Sequence, residues 1–218
     1  MNSQYRKADD SKEIKMKEKI KKISTLELAD MAILLALVVA LQSISSFGVV
    51  TLCLCLIPIT LGSIVLDWKC GGILGFAFGL VALFWGIVGK DVFTLYLFQA
   101  SPLMTILICV VKGTLAGMAP AFVFNALKKK NHLLASIVAS ITAPIVNTGI
   151  FALGCLIIRE DVISTAGKLG VEAVNFATLL FVIIIGTNFF IELFINAVLS
   201  PSLDKIATVI KQRLGKKI

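Results

Sequence analysis

Six long apolar runs, nearly free of charge, dominate the chain: Leu26–Ser45, Val49–Leu66, Cys70–Val88, Pro102–Leu127, Leu133–Ile158 and Val174–Leu199. A helix needs roughly 20 residues to cross about 30 Å of hydrocarbon. In lipid every backbone N–H and C=O must pair internally, so runs of this length read as transmembrane helices. The second and third runs are short and closely joined. The last three are long enough to tilt or protrude. Composition agrees, with 58% hydrophobic residues, 16% charged residues and a mean hydropathy of +0.96. Soluble domains run at about 45–50% apolar and about 25% charged. An ordinary soluble enzyme, a disordered chain and a secreted disulfide scaffold are excluded. The expected fold is an all-α integral membrane protein: six transmembrane helices over residues 24–200, with basic tails at 1–23 and 201–218.

The net charge of +8 is distributed by position. Eight Lys and Arg precede Ile23, and five follow Pro201. Basic ends flanking apolar runs fit membrane topology better than a nucleic-acid face. With the N-terminus inside, seventeen basic residues fall on the inner side, including Lys69 and Lys128–Lys130. Only Lys90, Arg159 and Lys168 fall outside, so both termini are expected in the cytoplasm of a cell-membrane protein. The tail is too long and polar for a signal peptide and reads as retained. Ser24 and Glu27 have the spacing of a capping box and should start the first helix. The cysteines Cys53, Cys55, Cys70, Cys109 and Cys155 lack CxxC spacing and read as small lipid-compatible side chains.

Small residues recur every four positions: Ala32, Ala36 and Ala40 in the first run, Gly71, Gly75 and Gly79 in the third, Gly113 and Gly117 in the fourth, Ala135, Ala139 and Ala143 in the fifth. Such stripes let helices approach closely, either within the bundle or at a partner. The first stripe adjoins no polar residue and is the best candidate for docking a partner helix. Pro58, Pro120 and Pro144 interrupt the runs and free carbonyls there. Pro102 suits the start of the fourth helix, and Pro201 is expected to end the sixth. The connection Gly89–Ser101 alternates apolar residues with Asp91, Thr94, Tyr96 and Gln99, as expected of a loop packed over an outward-facing site.

Ionisable residues inside a membrane are costly and usually functional. Lys112 lies roughly 15 Å from the outer end of its run and Asn147 about 16 Å from that of the next, so the two are expected to share one polar pocket, with Thr148 beside them. Glu192 falls about 27 Å down the last run, near the inner side, where a structural or partner-docking role is expected. Enzyme chemistry has little support. His132 is the single histidine, so no metal site of known type is expected, and there is neither GxSxG nor a P-loop. Active transport would need an ion gradient or an ATP-driven partner. A self-sufficient secondary transporter or channel is the alternative reading, although the two halves show no clear repeat.

Several runs together resemble the substrate-binding S component of energy-coupling factor (ECF) vitamin transporters. They are the stripe Ala32, Ala36, Ala40; the run Leu56-Ile57-Pro58-Ile59-Thr60-Leu61-Gly62; Gly71 to Gly79; Lys112-Gly113-Thr114-Leu115-Ala116-Gly117; Pro144-Ile145-Val146-Asn147-Thr148-Gly149; and Glu192. The resemblance covers about Ser24 to Leu214. It implies a six-helix protein that captures a vitamin from outside and docks on a membrane coupling subunit driven by two ATPase subunits. It implies docking through Ala32, Ala36 and Ala40, and a vitamin site near the outer surface against the last three helices. Within the family the chain looks most like the pantothenate-type branch, with folate or riboflavin next. A cationic Lys112 would suit a carboxylate vitamin. The site expected on these grounds is Asn147, Lys112, Thr148, Gln99 and Tyr96, with no cofactor, no metal and no nucleic acid.

Overall fold

The computed structural model describes residues 24–47, 50–51, 54–170, 175–180 and 186–216. The basic tail at 1–23, Cys53 and parts of the second and sixth apolar runs lie outside the described residues. The described chain is helical apart from one antiparallel pairing of two-residue strands, β1 (Ser46–Phe47) and β2 (Val50–Thr51). Its helices are α1 (Thr25–Ser45), α2 (Leu56–Val65), α3 (Trp68–Ile87), α4 (Val92–Ala100), α5 (Pro102–Leu127), α6 (His132–Ile157), α7 (Arg159–Lys168), α8 (Phe176–Leu179) and α9 (Gly186–Arg213). Among the described residues five helices, α1, α3, α5, α6 and α9, are long and apolar enough to cross a membrane. They mark a multi-pass membrane protein.

The helix starts follow their caps. Ser24 Oγ accepts from the Glu27 N–H at 3.1 Å, and the Glu27 carboxylate accepts from the Ser24 N–H at 3.0 Å, completing the capping box of α1. Asp67 caps α3, Asn131 caps α6, and Pro102 occupies the first turn of α5, where its missing N–H costs nothing. Two expectations change. Among the described residues the second apolar run is helical over Leu56–Val65, ten residues or about 15 Å, with a β pairing before it. Pro201 does not end the last helix. It lies inside α9, which runs on to Arg213 because apolar Leu203 and Ala207 still bury against the bundle.

Helix α2 packs against α1, α3, α5, α6 and α9, and every one of its residues except Ile57 is buried. Helix α1 turns Asp30, Leu34, Val38 and Gln42 inward, one residue per turn, and Cys55 Sγ donates to Gln42 Oε1 at 3.2 Å. The opposite face of α1 carries Ala32, Ala36 and Ala40, all exposed beside Ile33 and Leu37.

The most extensive contact joins α3 and α5. Gly71 meets Gly117, Gly75 meets Gly113, and Gly79 meets Cys109. A Cβ built at any of these glycines would overlap a carbonyl oxygen of the facing helix. The glycine stripes of α3 and α5 are therefore internal packing. So is the alanine stripe of α6, since Ala135, Ala139 and Ala143 are fully buried.

Charged groups close one end of the bundle, called the basic end below. Lys216 pairs with Glu27 at 2.7 Å and donates to the Val65 and Leu66 carbonyls at 3.2 and 3.1 Å, capping the C-terminus of α2. Arg213 pairs with Asp30, and His132 with Asp204 at 2.7 Å. Near the opposite end lies a second apolar cluster, in which α4, α7 and α8 cover α5 and α6 through Leu97, Ile108, Cys155, Val162 and Leu179.

Two tests follow from this packing. Gly75→Ala should lower the thermal unfolding midpoint, since overpacking against backbone costs about 1–3 kcal/mol. Gly149→Ala, where a Cβ meets nothing within 4 Å, should be neutral or stabilising by up to about 1 kcal/mol. Equal midpoints for the two variants would remove the glycine contact as the organising one. Lys216→Met should cost about 1–2 kcal/mol, measured the same way, through loss of the carbonyl cap and the ion pair.

Candidate functional site

Lys112 lies on α5 between Cys109 and Gly113, both held against α3. That contact turns the lysine toward α6, where Nζ stands 4.3 Å from the Phe151 ring centroid. This is cation–π distance, and the interaction strengthens where water is excluded. Phe151 in turn meets Phe93 of α4 edge-on, at 6.2 Å between centroids. The ammonium thus lies beneath an aromatic pair contributed by α6 and α4. Cys109 and Cys155 lie within its electrostatic reach.

Asn147 sits one turn along α6 from Phe151. It is 5% exposed, and its Oδ1 is buried without a hydrogen-bond partner. An amide acceptor in that state carries the desolvation cost of a polar group with no compensating bond. Thr148, its neighbour, is half-buried. The position of Asn147 continues the buried stripe Ala135, Ala139, Ala143 by one more turn, which is what turns a polar side chain into the bundle.

Glu192 departs from expectation. The helix that bears it is anchored at the basic end by Asp204, which accepts from Ser136 Oγ and pairs with His132. Glu192 lies twelve residues from Asp204, and Thr148 lies twelve from Ser136, both toward the opposite end. At 1.5 Å per residue each is about 18 Å along its helix from the shared contact. The expectation of a position near the inner side counted down from Val174 and put the inner end of the run at Leu199. Helix α9 runs on to Arg213, so Glu192, 5% exposed, lies well short of its inner end. Asn196, 1% exposed, donates through Nδ2 to the Glu192 carbonyl at 2.8 Å, and its Oδ1 is buried without a partner.

The segment over 89–101 is a helix rather than a loop. Gly89 at φ +90° turns the chain out of α3, and Asp91 caps α4 by accepting from the Thr94 N–H and hydroxyl. Helix α4 buries Thr94 and Leu97 and directs Phe93 to the site. Gln99 is exposed, and the ring of Tyr96 lies 5.6 Å from Lys168 of α7. The structure therefore brings Lys112 to Phe151, one turn from Asn147 and Thr148, and leaves Gln99 and Tyr96 on the cover. Phe151, Phe93 and Asn196 are the additions. Phe151 was readable as the residue four beyond Asn147. Phe93 had no signal without the path of α4.

One ammonium, an amide with an open acceptor and a hydroxyl around Phe151 form a set that can bind a small polar molecule. Among the described residues no three His, Cys, Asp or Glu converge as metal ligands would. His132 is held at the basic end, Nδ1 on Asp204 and ring edge-on to Phe124 at 5.1 Å.

Asn147→Leu, of similar volume without the open acceptor, should leave the thermal midpoint of the ligand-free protein unchanged or raise it. A clear fall in that midpoint would make Asn147 a structural residue instead. No family model, curated protein or solved structure matches the chain.

Proposed function

We propose that the chain is the substrate-binding S component of an ECF-type importer, taking up a small carboxylate-bearing vitamin, with pantothenate the first choice and folate or riboflavin next. The observation that carries this reading is the polar level beneath α4, where Lys112 lies on Phe151 one turn from the open acceptor of Asn147. In the reading Lys112 pairs with the ligand carboxylate, while Asn147 and Thr148 hydrogen-bond its polar groups. Phe151 and Phe93 exclude water, which strengthens each of these interactions. The second apolar run is read as the sixth span, a short one. Both termini are read as cytoplasmic in the cell membrane, from the weight of Lys and Arg at the basic end.

The partners in this reading are a membrane coupling subunit and two ATPase subunits. The outward face of α1 supports it: Ala32, Ala36 and Ala40 are exposed while the opposite face of the helix packs on α2 and α3. A small-residue face left open by the bundle admits close approach of another helix.

Lys112→Met should weaken binding of the carboxylate vitamin by about 2–5 kcal/mol in calorimetric titration, the range for truncating one partner of a buried charge pair. Unchanged affinity sinks the assigned role of Lys112. Ala36→Leu should prevent co-purification with the ATPase subunits and leave vitamin binding by the isolated chain intact. Uptake driven by an ion gradient in vesicles containing only this chain would favour the secondary-transporter reading instead.

A further inference from the structure

Besides the buried Lys211, the basic end carries five lysines that form no ion pair among the described residues. Lys69, Lys129, Lys130 and Lys205 are exposed and Lys128 is half-buried. The acids at this end are engaged elsewhere. Glu27 holds Lys216, Asp30 holds Arg213, Asp204 holds His132, and Asp67 accepts from the Trp68 N–H at 2.7 Å. Residues 1–22 add eight basic and four acidic residues, a further net positive charge.

The five lysines also share a neighbourhood. Trp68, next to Lys69, lies 5.8 Å from Phe122 near the end of α5. Lys128–Lys130 form the turn that follows α5, and the His132–Asp204 pair ties that turn to the part of α9 bearing Lys205. Each group of lysines borders an exposed apolar side chain: Phe122 near Lys69, Leu133 and Leu134 after Lys130, and Ile206 after Lys205. Ammonium groups on the rim of an apolar wall have the geometry of a phospholipid, whose phosphate lies directly over its acyl chains. An indole at the same rim favours the headgroup level.

We propose that this arc, from Trp68 and Lys69 across the Lys128–Lys130 turn to Lys205, is a binding surface for anionic phospholipid headgroups. The bordering apolar residues favour a lipid over an acidic protein, which would need a polar rim rather than a wall continuous with the membrane-facing surface. Attraction of a polybasic surface to anionic lipid grows with each Lys added and fades within a Debye length. The surface is independent of the vitamin site.

The test uses the full chain with Trp85→Phe, leaving Trp68 as the single tryptophan. It is reconstituted in phosphatidylcholine vesicles with a minor fraction of phosphatidylglycerol, and one lipid or the other is brominated near the glycerol end. Brominated phosphatidylglycerol should quench Trp68 at least about threefold more strongly than brominated phosphatidylcholine at equal mole fraction. The ratio should fall to about one in high salt and in K128Q/K129Q/K130Q, whose thermal midpoint should match the parent. Lys90→Gln, at the opposite end, should leave it unchanged. A ratio near one in the parent overturns the proposal. So does a raised ratio that survives K128Q/K129Q/K130Q, or an equal ratio in the Trp68→Phe protein, where Trp85 reports from the other end.

Discussion

The backbone contact between α3 and α5 sets the register on which the rest of the bundle depends. Gly71, Gly75 and Gly79 lie against Gly117, Gly113 and Cys109, with no room for a side chain between them. In lipid the hydrophobic effect does not drive two apolar helices together, so their association rests on close van der Waals approach and polar contacts. Each glycine that admits a facing carbonyl also fixes where along the helix that approach occurs. Lys112 precedes Gly113 by one residue, and its depth and direction are therefore consequences of the glycine register rather than of any property of the lysine.

Polar groups inside the bundle divide into two kinds. At the basic end each acid among the described residues has a partner or a cap, while Asp30 Oδ2 and His132 Nε2 are buried without one. Farther along the helices no ion pairs accompany the polar groups among the described residues. Asn147, Asn196, Thr60 and Ser140 each bury an oxygen with no hydrogen-bond partner. An arrangement that served stability alone would replace such groups with apolar ones of the same shape, at little or no cost. Those on α6 and α9, two helices in contact, are the groups that the proposed reading assigns to a polar ligand.

The two ends also differ in how they are closed. The basic end is held by ion pairs that tie α1, α2 and α9 together. The opposite end is covered by short helices: α4 and α7 pack through Leu97 and Val162, and the Ser101 hydroxyl donates to Asp161. Short helices resting on one apolar cluster form a cover that can open at lower cost than the interlocked helices below it.

The long helices were legible in the sequence because their signal is local. An apolar run of membrane length bounded by a cap or a proline determines its own secondary structure, and α1, α3, α5 and α6 begin and end within two residues of the expected bounds. The expectation that Lys112 and Asn147 are neighbours came from counting along those runs, and Lys112 stands on Phe151, one turn from Asn147. Three features did not. The helicity of α4 depends on Asp91 capping a segment whose apolar residues alternate. The continuation of α9 through Pro201 depends on Leu203 and Ala207 finding a buried face. The company of Glu192 depends on a register set by Asp204 with Ser136 and His132, residues distant in sequence. The sequence alone determined the long apolar helices, because backbone pairing in lipid is decided segment by segment. Only the tertiary structure decided which polar side chains meet, because that is set by how helices slide past one another, and a contact between side chains fixes the slide.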